Sequence, residues 1–470
     1  MKHVTRESNT QPFLPPSRRP RLATPAVVLV LLFGINALNY LDRLLAVAVG
    51  PTLKSEFHLT DAAIGMLTSA FLIIYTLAAL PAGLLADHFS RARVVAAGVG
   101  LWSLMSAATA FVRGFSGLVL TRAAVGIGEA SYFPAGTALL SNYYPLKTRA
   151  RAMSRWGTGQ IFGAMLAFVL AALFFHLFGE TLGWRVAFLV AGIPGLALAV
   201  IMWRVPDAPT HPATSFPHPN APQSPARMPT PVVMPTPAVR TRAITPADHL
   251  AHIVAVVRIP TVRLSIVLQA LTYIAVTPTA TFIPIYLRSR HGPFHLGATQ
   301  ADLLAGALLV VGGLAGVLLG GYLADWLSAR TRGGRILAIG AGFACGLPCY
   351  VTMLLCHSIV LFAVAGLFAI LALNIQVGPL GAVVQDATPP ALRATAVAVV
   401  LLLAHLLGDA WASTAAGALS TAMGERTALA LLFIGAPALL VAVVVSAFGA
   451  RVYARDVARR AHEAAASSAT

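Results

Sequence analysis

The chain has 470 residues, of which 57% are apolar and only 10% charged, and its mean hydropathy is +0.78. A water-soluble domain carries about 25% charged residues, so this composition excludes an ordinary soluble fold. The net charge of +17 does not mark a nucleic-acid surface, because the cations lie in short polar segments between apolar runs, where they orient a membrane chain.

Residues 1–25 are polar and Pro-rich, with Lys2, Arg6, Arg18, Arg19 and Arg21. They read as a cytosolic tail. A cleaved leader is not expected, since the next apolar run is far longer than a signal core of about 7–15 residues and contains Asp42 and Arg43.

Apolar runs then occupy about 26–50, 62–86, 94–112, 117–140, 152–177 and 184–203, and after a gap about 262–287, 301–326, 335–356, 359–384, 394–421 and 427–450. Crossing a bilayer takes roughly 20 apolar residues in a helix. The expectation is therefore an all-α membrane protein of twelve transmembrane helices in two six-helix bundles, 26–204 and 261–450. Residues 205–260 read as a Pro-rich cytosolic linker too polar to bury a core, in which Ala243 to Arg258 has the pattern of a short amphipathic helix. Residues 451–470 read as a basic cytosolic tail. With both termini cytosolic, 25 of the 33 Lys and Arg fall inside, six outside, and Arg43 and Arg122 within the membrane. That bias sets the orientation. The three cysteines, Cys345, Cys349 and Cys356, share one apolar run without zinc-type spacing and read as small apolar fillers.

A short motif repeats. Gly83-Leu-Leu-Ala-Asp87 leads to Arg91 and Arg93 after the second run. Gly321-Tyr-Leu-Ala-Asp325 leads to Arg330 after the eighth, 238 residues on. The same signature at the same place in each half indicates a parallel duplication. Gly permits close helix approach, and the Asp can accept from a helix N-terminus and from Arg. The pair reads as a cytosolic gate, with an ordinary tight turn as the alternative.

The loop motif, together with Arg122-Ala-Ala-Val-Gly126-Ile-Gly128 in helix 4, resembles the major facilitator superfamily. Asn39-Tyr40-Leu41-Asp42-Arg43, Gly126-Ile-Gly-Glu129-Ala-Ser-Tyr132, and Arg393-Ala-Thr-Ala with His405-Leu-Leu-Gly-Asp409-Ala resemble its spinster-like branch. That resemblance implies an amphipathic, often anionic substrate, since members of the branch move lysolipids and sphingosine phosphate. It also implies that helices 1 and 4 line the central path, which brings Asp42 within reach of Arg122.

An ionisable group at bilayer depth costs at least ~2.5–3.5 kcal/mol and marks a functional candidate. Five stand out: Asp42, Arg43, Arg122, Glu129 and Asp409. Arg122 and Glu129, seven apart, lie within about 20° of each other on one helix face and form a charged stripe rather than a pair. Asp42, Arg43, Arg122 and Glu129 are the candidates for proton coupling. A static network that fixes helix packing is the competing reading. The candidate cavity residues are Asn36, Tyr40 and Tyr132 in the first half, and Gln269, Thr272, Tyr273, Asn374, His405 and Asp409 in the second. His405 and Asp409, at i and i+4, can share a hydrogen bond. Gly312, Gly316 and Gly320 make a close-packing stripe, and the first half is expected to hold the buried charge.

No phosphate loop, zinc-helix motif or nucleophile elbow occurs, so neither an ATP-driven pump nor an enzyme is expected. No cofactor or metal is called for, and the proton gradient supplies the energy. The partners expected are a small amphipathic or anionic substrate and the lipid bilayer, the inner membrane, with no nucleic acid and a monomeric state. Export of a lysolipid-like or drug-like molecule stands beside two alternatives. One is an uptake carrier for a small organic anion or sugar acid. The other is a transporter-like receptor or passive lipid scramblase.

Overall fold

The structure is a computed structural model, and it describes residues 24–144, 146–207, 246–289, 292–389 and 392–469. Most of the Pro-rich linker and the N-terminal tail lie outside the described residues. Among the described residues there are helices and turns but no strand.

The helices follow in chain order: α1 (Pro25–Ala48), α2 (Gly50–Glu56), α3 (Asp61–His88), α4 (Arg91–Thr109), α5 (Phe115–Ala130), α6 (Tyr132–Tyr143), α7 (Leu146–Trp203), α8 (Pro246–Val257), α9 (Pro260–Arg288), α10 (Ala298–Ala307), a π-helical turn (Leu308–Gly312), α11 (Gly313–Ser328), α12 (Gly334–Leu355), α13 (Ile359–Asn374), α14 (Val377–Ala387), α15 (Arg393–Leu407), α16 (Asp409–Ala422) and α17 (Thr427–Ala469). Starts are set by local chemistry. Thr24 caps α1 ahead of Pro25, and Thr60, Ser90 and Ser358 cap α3, α4 and α13 through their hydroxyls, each such cap being worth about 1 kcal/mol.

Among the described residues, ten segments are long and apolar enough to cross a membrane. One of them, Arg151–Trp203, has 53 residues, about 80 Å of helix against a core of ~30 Å. It breaks at Gly179 (φ 71°, ψ 172°) and so makes two passes. Helices α5 and α6 meet at Ser131 and together are long enough for another pass. The count is then consistent with the twelve passages read from the sequence. The amphipathic helix expected over Ala243 to Arg258 is α8.

Two faces can be told apart by counting passes. The terminal face carries the start of α1, the α7–α9 connection and the α9 end of α17; the distal face is opposite. On the terminal face each half is tied to itself. The Asp207 carboxylate accepts from the Arg91 and Ala92 backbone N–H groups at 3.1 Å each, capping α4 with a negative charge at its positive end. Asp456 does the same for α9, accepting from the Thr261 N–H at 3.0 Å and its hydroxyl at 2.7 Å.

The two halves meet where α3 packs on α16 and α7 on α10. Gly65 and Gly417 sit against backbone carbonyls of the opposing helix, Ser413 and Asp61 respectively, and Gly306 against the Phe168 side chain, so these helices approach too closely for any larger residue. The cross-half polar contacts cluster at the distal face. Lys54 reaches Asp61 and Glu425 at 2.5 Å each. The Asp61 carboxylate accepts from Ser420 at 2.5 Å and Thr427 at 3.0 Å. Arg288 donates to Glu180 and, at 3.1 Å, to Thr52.

The glycine stripe packs as its spacing predicts: Gly312, Gly316 and Gly320 lie against the backbone carbonyls of Leu367, Leu371 and Ile375. The motif glycines do not. Gly83 and Gly321 have no heavy atom within 4 Å of where a Cβ would stand. The close approach expected of them is absent because both lie at the terminal face, away from the cross-half contacts.

Candidate functional site

Helices α1 and α5 bring four charges together at mid-depth. Arg43 Nε donates to Glu129 Oε2 at 2.6 Å, and Arg122 Nη1 donates to Asp42 Oδ2 at 3.2 Å. The stripe therefore resolves into two pairs, each crossing from α1 to α5. Asp42 and Arg43 are adjacent in sequence and so diverge by about 100° around α1, each meeting a different residue of the stripe. Asp42 is 2% exposed, Glu129 1% and Arg122 6%. Asp42 also accepts from the Ser106 hydroxyl, and Arg122 Nη2 reaches Thr109 at 3.4 Å. Two polar atoms keep unused capacity: Arg122 Nε and Glu129 Oε1 have no partner.

Aromatic faces complete the cation sites. The Arg43 guanidinium lies 4.5 Å from the Tyr75 ring centre and 5.2 Å from that of Phe71, and Arg122 lies 5.1 Å from Phe188. Such contacts stabilise a desolvated cation by about 1–2 kcal/mol. Arg43 and Arg122 both line one cavity of about 70 Å³, with Thr68, Thr109 and, from the second half, Thr281 in its wall.

The other first-half candidates separate by role. Asn36 donates to the Trp156 carbonyl at 2.9 Å, and the Tyr132 hydroxyl donates to the Leu32 carbonyl at 2.7 Å while accepting from the Trp156 indole. These bonds tie α1, α6 and α7 together. Asn36, Tyr40 and Tyr132 also line one cavity of about 70 Å³ with Arg43 and Glu129, and Tyr40 lines a larger, mostly apolar cavity of about 440 Å³ whose polar residues include Gln160, Thr279, Tyr350 and Asn374.

In the second half, the His405 ring stacks on Tyr273 at 4.6 Å and meets the Tyr75 ring edge-on at 6.5 Å. His405 Nδ1 lies 3.0 Å from Asp409, even though the helix breaks between them at Gly408. Gln269, Thr272, Tyr273 and Asn374 line a second cavity of about 320 Å³ that shares Val276, Leu373, Asn374 and Val377 with the first. Thr272 gives its hydroxyl to the Leu268 carbonyl at 2.9 Å, so it contributes shape rather than a free donor.

Of the gate motifs, Arg91 donates to Asn142 at 2.9 Å, the exposed Arg93 contributes its backbone N–H to Ser90, and Arg330 stacks on Trp326 at 3.8 Å. Asp325 is exposed and makes no ion pair among the described residues. The Asp87 side chain lies outside what the structure describes.

Sequence reasoning passed over two buried carboxylates in the second half, Asp456, which caps the start of α9, and Asp302. Asp302 is 0% exposed, and neither carboxylate oxygen has a hydrogen-bond partner. It stands one residue inside the start of its apolar run at 301, where a carboxylate reads as interfacial. The buried charge is therefore not confined to the first half.

Bundles joined at one face, with four paired charges and polar-edged cavities between the helices, define a multi-pass helical membrane protein built in two halves. The chain belongs to the major facilitator superfamily, whose sequence profile matches residues 32–408. It is similar to the protein spinster of Drosophila melanogaster, at 27% identity over 403 residues covering 84% of this chain and 62% of that protein. It thus spans less than two thirds of that relative's length. It is also similar to the probable galactarate/D-glucarate transporter GudP of Escherichia coli (strain K12), at 25% identity over 375 residues, 77% of this chain and 80% of that one. Among solved structures, a bacterial homologue of the human lysosomal transporter Spinster, inward-facing and unoccupied, shares the fold with a TM-score of 0.71 at 22% identity, covering 92% of this chain and 97% of that one.

Proposed function

We propose that the protein is a proton-coupled secondary transporter for an amphipathic, anionic small molecule, acting as a monomer in the inner membrane with both termini cytosolic. The observation that carries this reading is the pair of crossed ion pairs, Arg43–Glu129 and Asp42–Arg122, both of whose arginines line one cavity. An anionic headgroup entering that cavity competes with Glu129 and Asp42 for the two cations. A carboxylate so displaced into a buried site is stable when it takes a proton, because an unpaired buried charge is the costly alternative. Substrate binding and proton uptake are then linked through the same two arginines. The apolar cavity beside Tyr40 suits the hydrophobic part of such a molecule. In this scheme the described conformer is the inward-open one, with Asp87 and Asp325 engaging as the cytosolic gate in the opposite state.

The test is transport in proteoliposomes under an imposed pH gradient. A lysophospholipid is expected to move faster with the gradient, and Glu129→Gln is expected to lose that acceleration. Equal rates with and without the gradient, in both proteins, would remove proton coupling and favour a passive scramblase. The second reading, uptake of a sugar acid, draws on the likeness to the galactarate/D-glucarate transporter. It predicts thermal stabilisation by D-glucarate and none by lysophospholipids.

A further inference from the structure

Asp302 stands apart from the charged centre. It lies in the second turn of α10, near the distal face, with no exposure and no donor on either oxygen. Helix α10 packs on α7, on α9 and on the π turn that follows it. Among the described residues, the charged groups facing Asp302 are Arg288, at the end of α9, and Glu180, on the α7 side. Helix α10 itself carries no other ionisable residue.

Arg288 is committed elsewhere in this conformer. It donates to Glu180 and Thr52, both in the other half of the molecule. A buried carboxylate with no donor cannot keep a charge without a large desolvation cost, and Arg288, the cation near it among the described residues, is already paired.

We propose that Asp302 is a second proton-binding residue, which exchanges its proton for Arg288 when the distal face opens. The proposal rests on the alternating-access reading. Arg288 and Asp302 belong to the same half, whereas Glu180 and Thr52 belong to the other. Separation of the halves at the distal face removes Glu180 from Arg288 and leaves Asp302 as the nearby acceptor. The Asp302 O–H bond then breaks, the proton passes to water entering at the distal face, and the carboxylate pairs with Arg288. Closure reverses each step: Arg288 returns to Glu180 and Asp302 regains a proton from the distal side. The open state binds one proton fewer, so rising pH favours it.

Spin labels at Arg113→Cys and His357→Cys, both exposed at the distal face in opposite halves, report opening in the full chain with Cys345, Cys349 and Cys356 replaced by Ser. Pulsed distance measurements in lipid nanodiscs between pH 5 and 9 give the open-to-closed ratio. One released proton contributes up to about tenfold per pH unit to that ratio. Asp302→Asn, which mimics the neutral acid and preserves the closed packing, is expected to lose one such factor. Glu129→Gln is expected to keep it, and Glu180→Gln to raise the open fraction at every pH without changing the slope. An unchanged slope in Asp302→Asn, with the slope altered in Glu129→Gln, overturns this proposal and leaves coupling at the centre standing. No pH response in the unaltered protein overturns both.

Discussion

Removing the two hydroxyls that Asp61 takes from the other half tests what holds the distal face shut. Ser420 and Thr427 donate to the same oxygen of Asp61, at 2.5 and 3.0 Å, and Asp61 and Ser420 are both 0% exposed. Lys54 belongs to the same half as Asp61 and stays with it in either conformer. The double variant Ser420→Ala/Thr427→Val therefore weakens only the closed arrangement. A hydrogen bond to a charged group contributes about 1.5–3 kcal/mol. Two that share an acceptor are less than additive, so about 2–3 kcal/mol is lost from the closed state. At ~1.4 kcal/mol per decade this raises the open-to-closed ratio roughly 30- to 150-fold. A cysteine introduced by Ser413→Cys, fully buried where α16 meets Gly65, reports the change through its rate of reaction with a membrane-impermeant maleimide, the native cysteines being replaced. A rate within about threefold of the parent refutes the assignment of these bonds as a closing element.

Arg122→Ala leaves Asp42 buried without its cation and is expected to destabilise the fold by about 3–5 kcal/mol, read as a large fall in Tm. Asp42→Asn combined with Arg122→Gln is expected to recover most of that loss. Gly179→Ala places a Cβ on a backbone conformation (φ 71°, ψ 172°) that is essentially reserved for Gly, at a cost of about 1–3 kcal/mol, seen by thermal unfolding in detergent. Gly320→Leu drives a side chain into the Ile375 backbone and is expected to abolish recovery of monodisperse protein, whereas Gly321→Ala, in open space, is expected to be tolerated in this conformer.

Apolar run lengths made the passes legible, because a bilayer demands one helix per run whatever the tertiary detail. The positions of Asp42, Arg122 and Glu129 were legible as intramembrane charges for the same reason. The Asp42–Arg122 pair was anticipated from helices 1 and 4 lining one path, but the partner of Glu129 was not. Helical spacing fixes the face a residue occupies, but not how two helices rotate toward each other, so the Arg43–Glu129 pair emerged only when α1 and α5 were seen together. The pairing of Lys54 with Glu425 and of Arg288 with Glu180 has no signature in the sequence, because it depends on two halves more than 100 positions apart in the chain closing on one another. The gate glycines misled in the opposite sense, since a motif that recurs at equivalent places need not be engaged in every conformer.

The π turn at Leu308–Gly312 inserts one residue into the helix that runs from Asp302 to the glycine stripe. One residue is about 100° of azimuth. If that turn relaxed to α geometry, α11 would rotate by that angle about its axis relative to α10. Gly316 and Gly320 would leave the carbonyls of Leu371 and Ile375 and present larger neighbours in their place. The glycine packing thus acts as a torsional stop: it holds the wound turn beside the cavity walls formed by Leu309, Val310 and Leu314, and ties the azimuth of the lower helix to the position of the helix bearing Asp302.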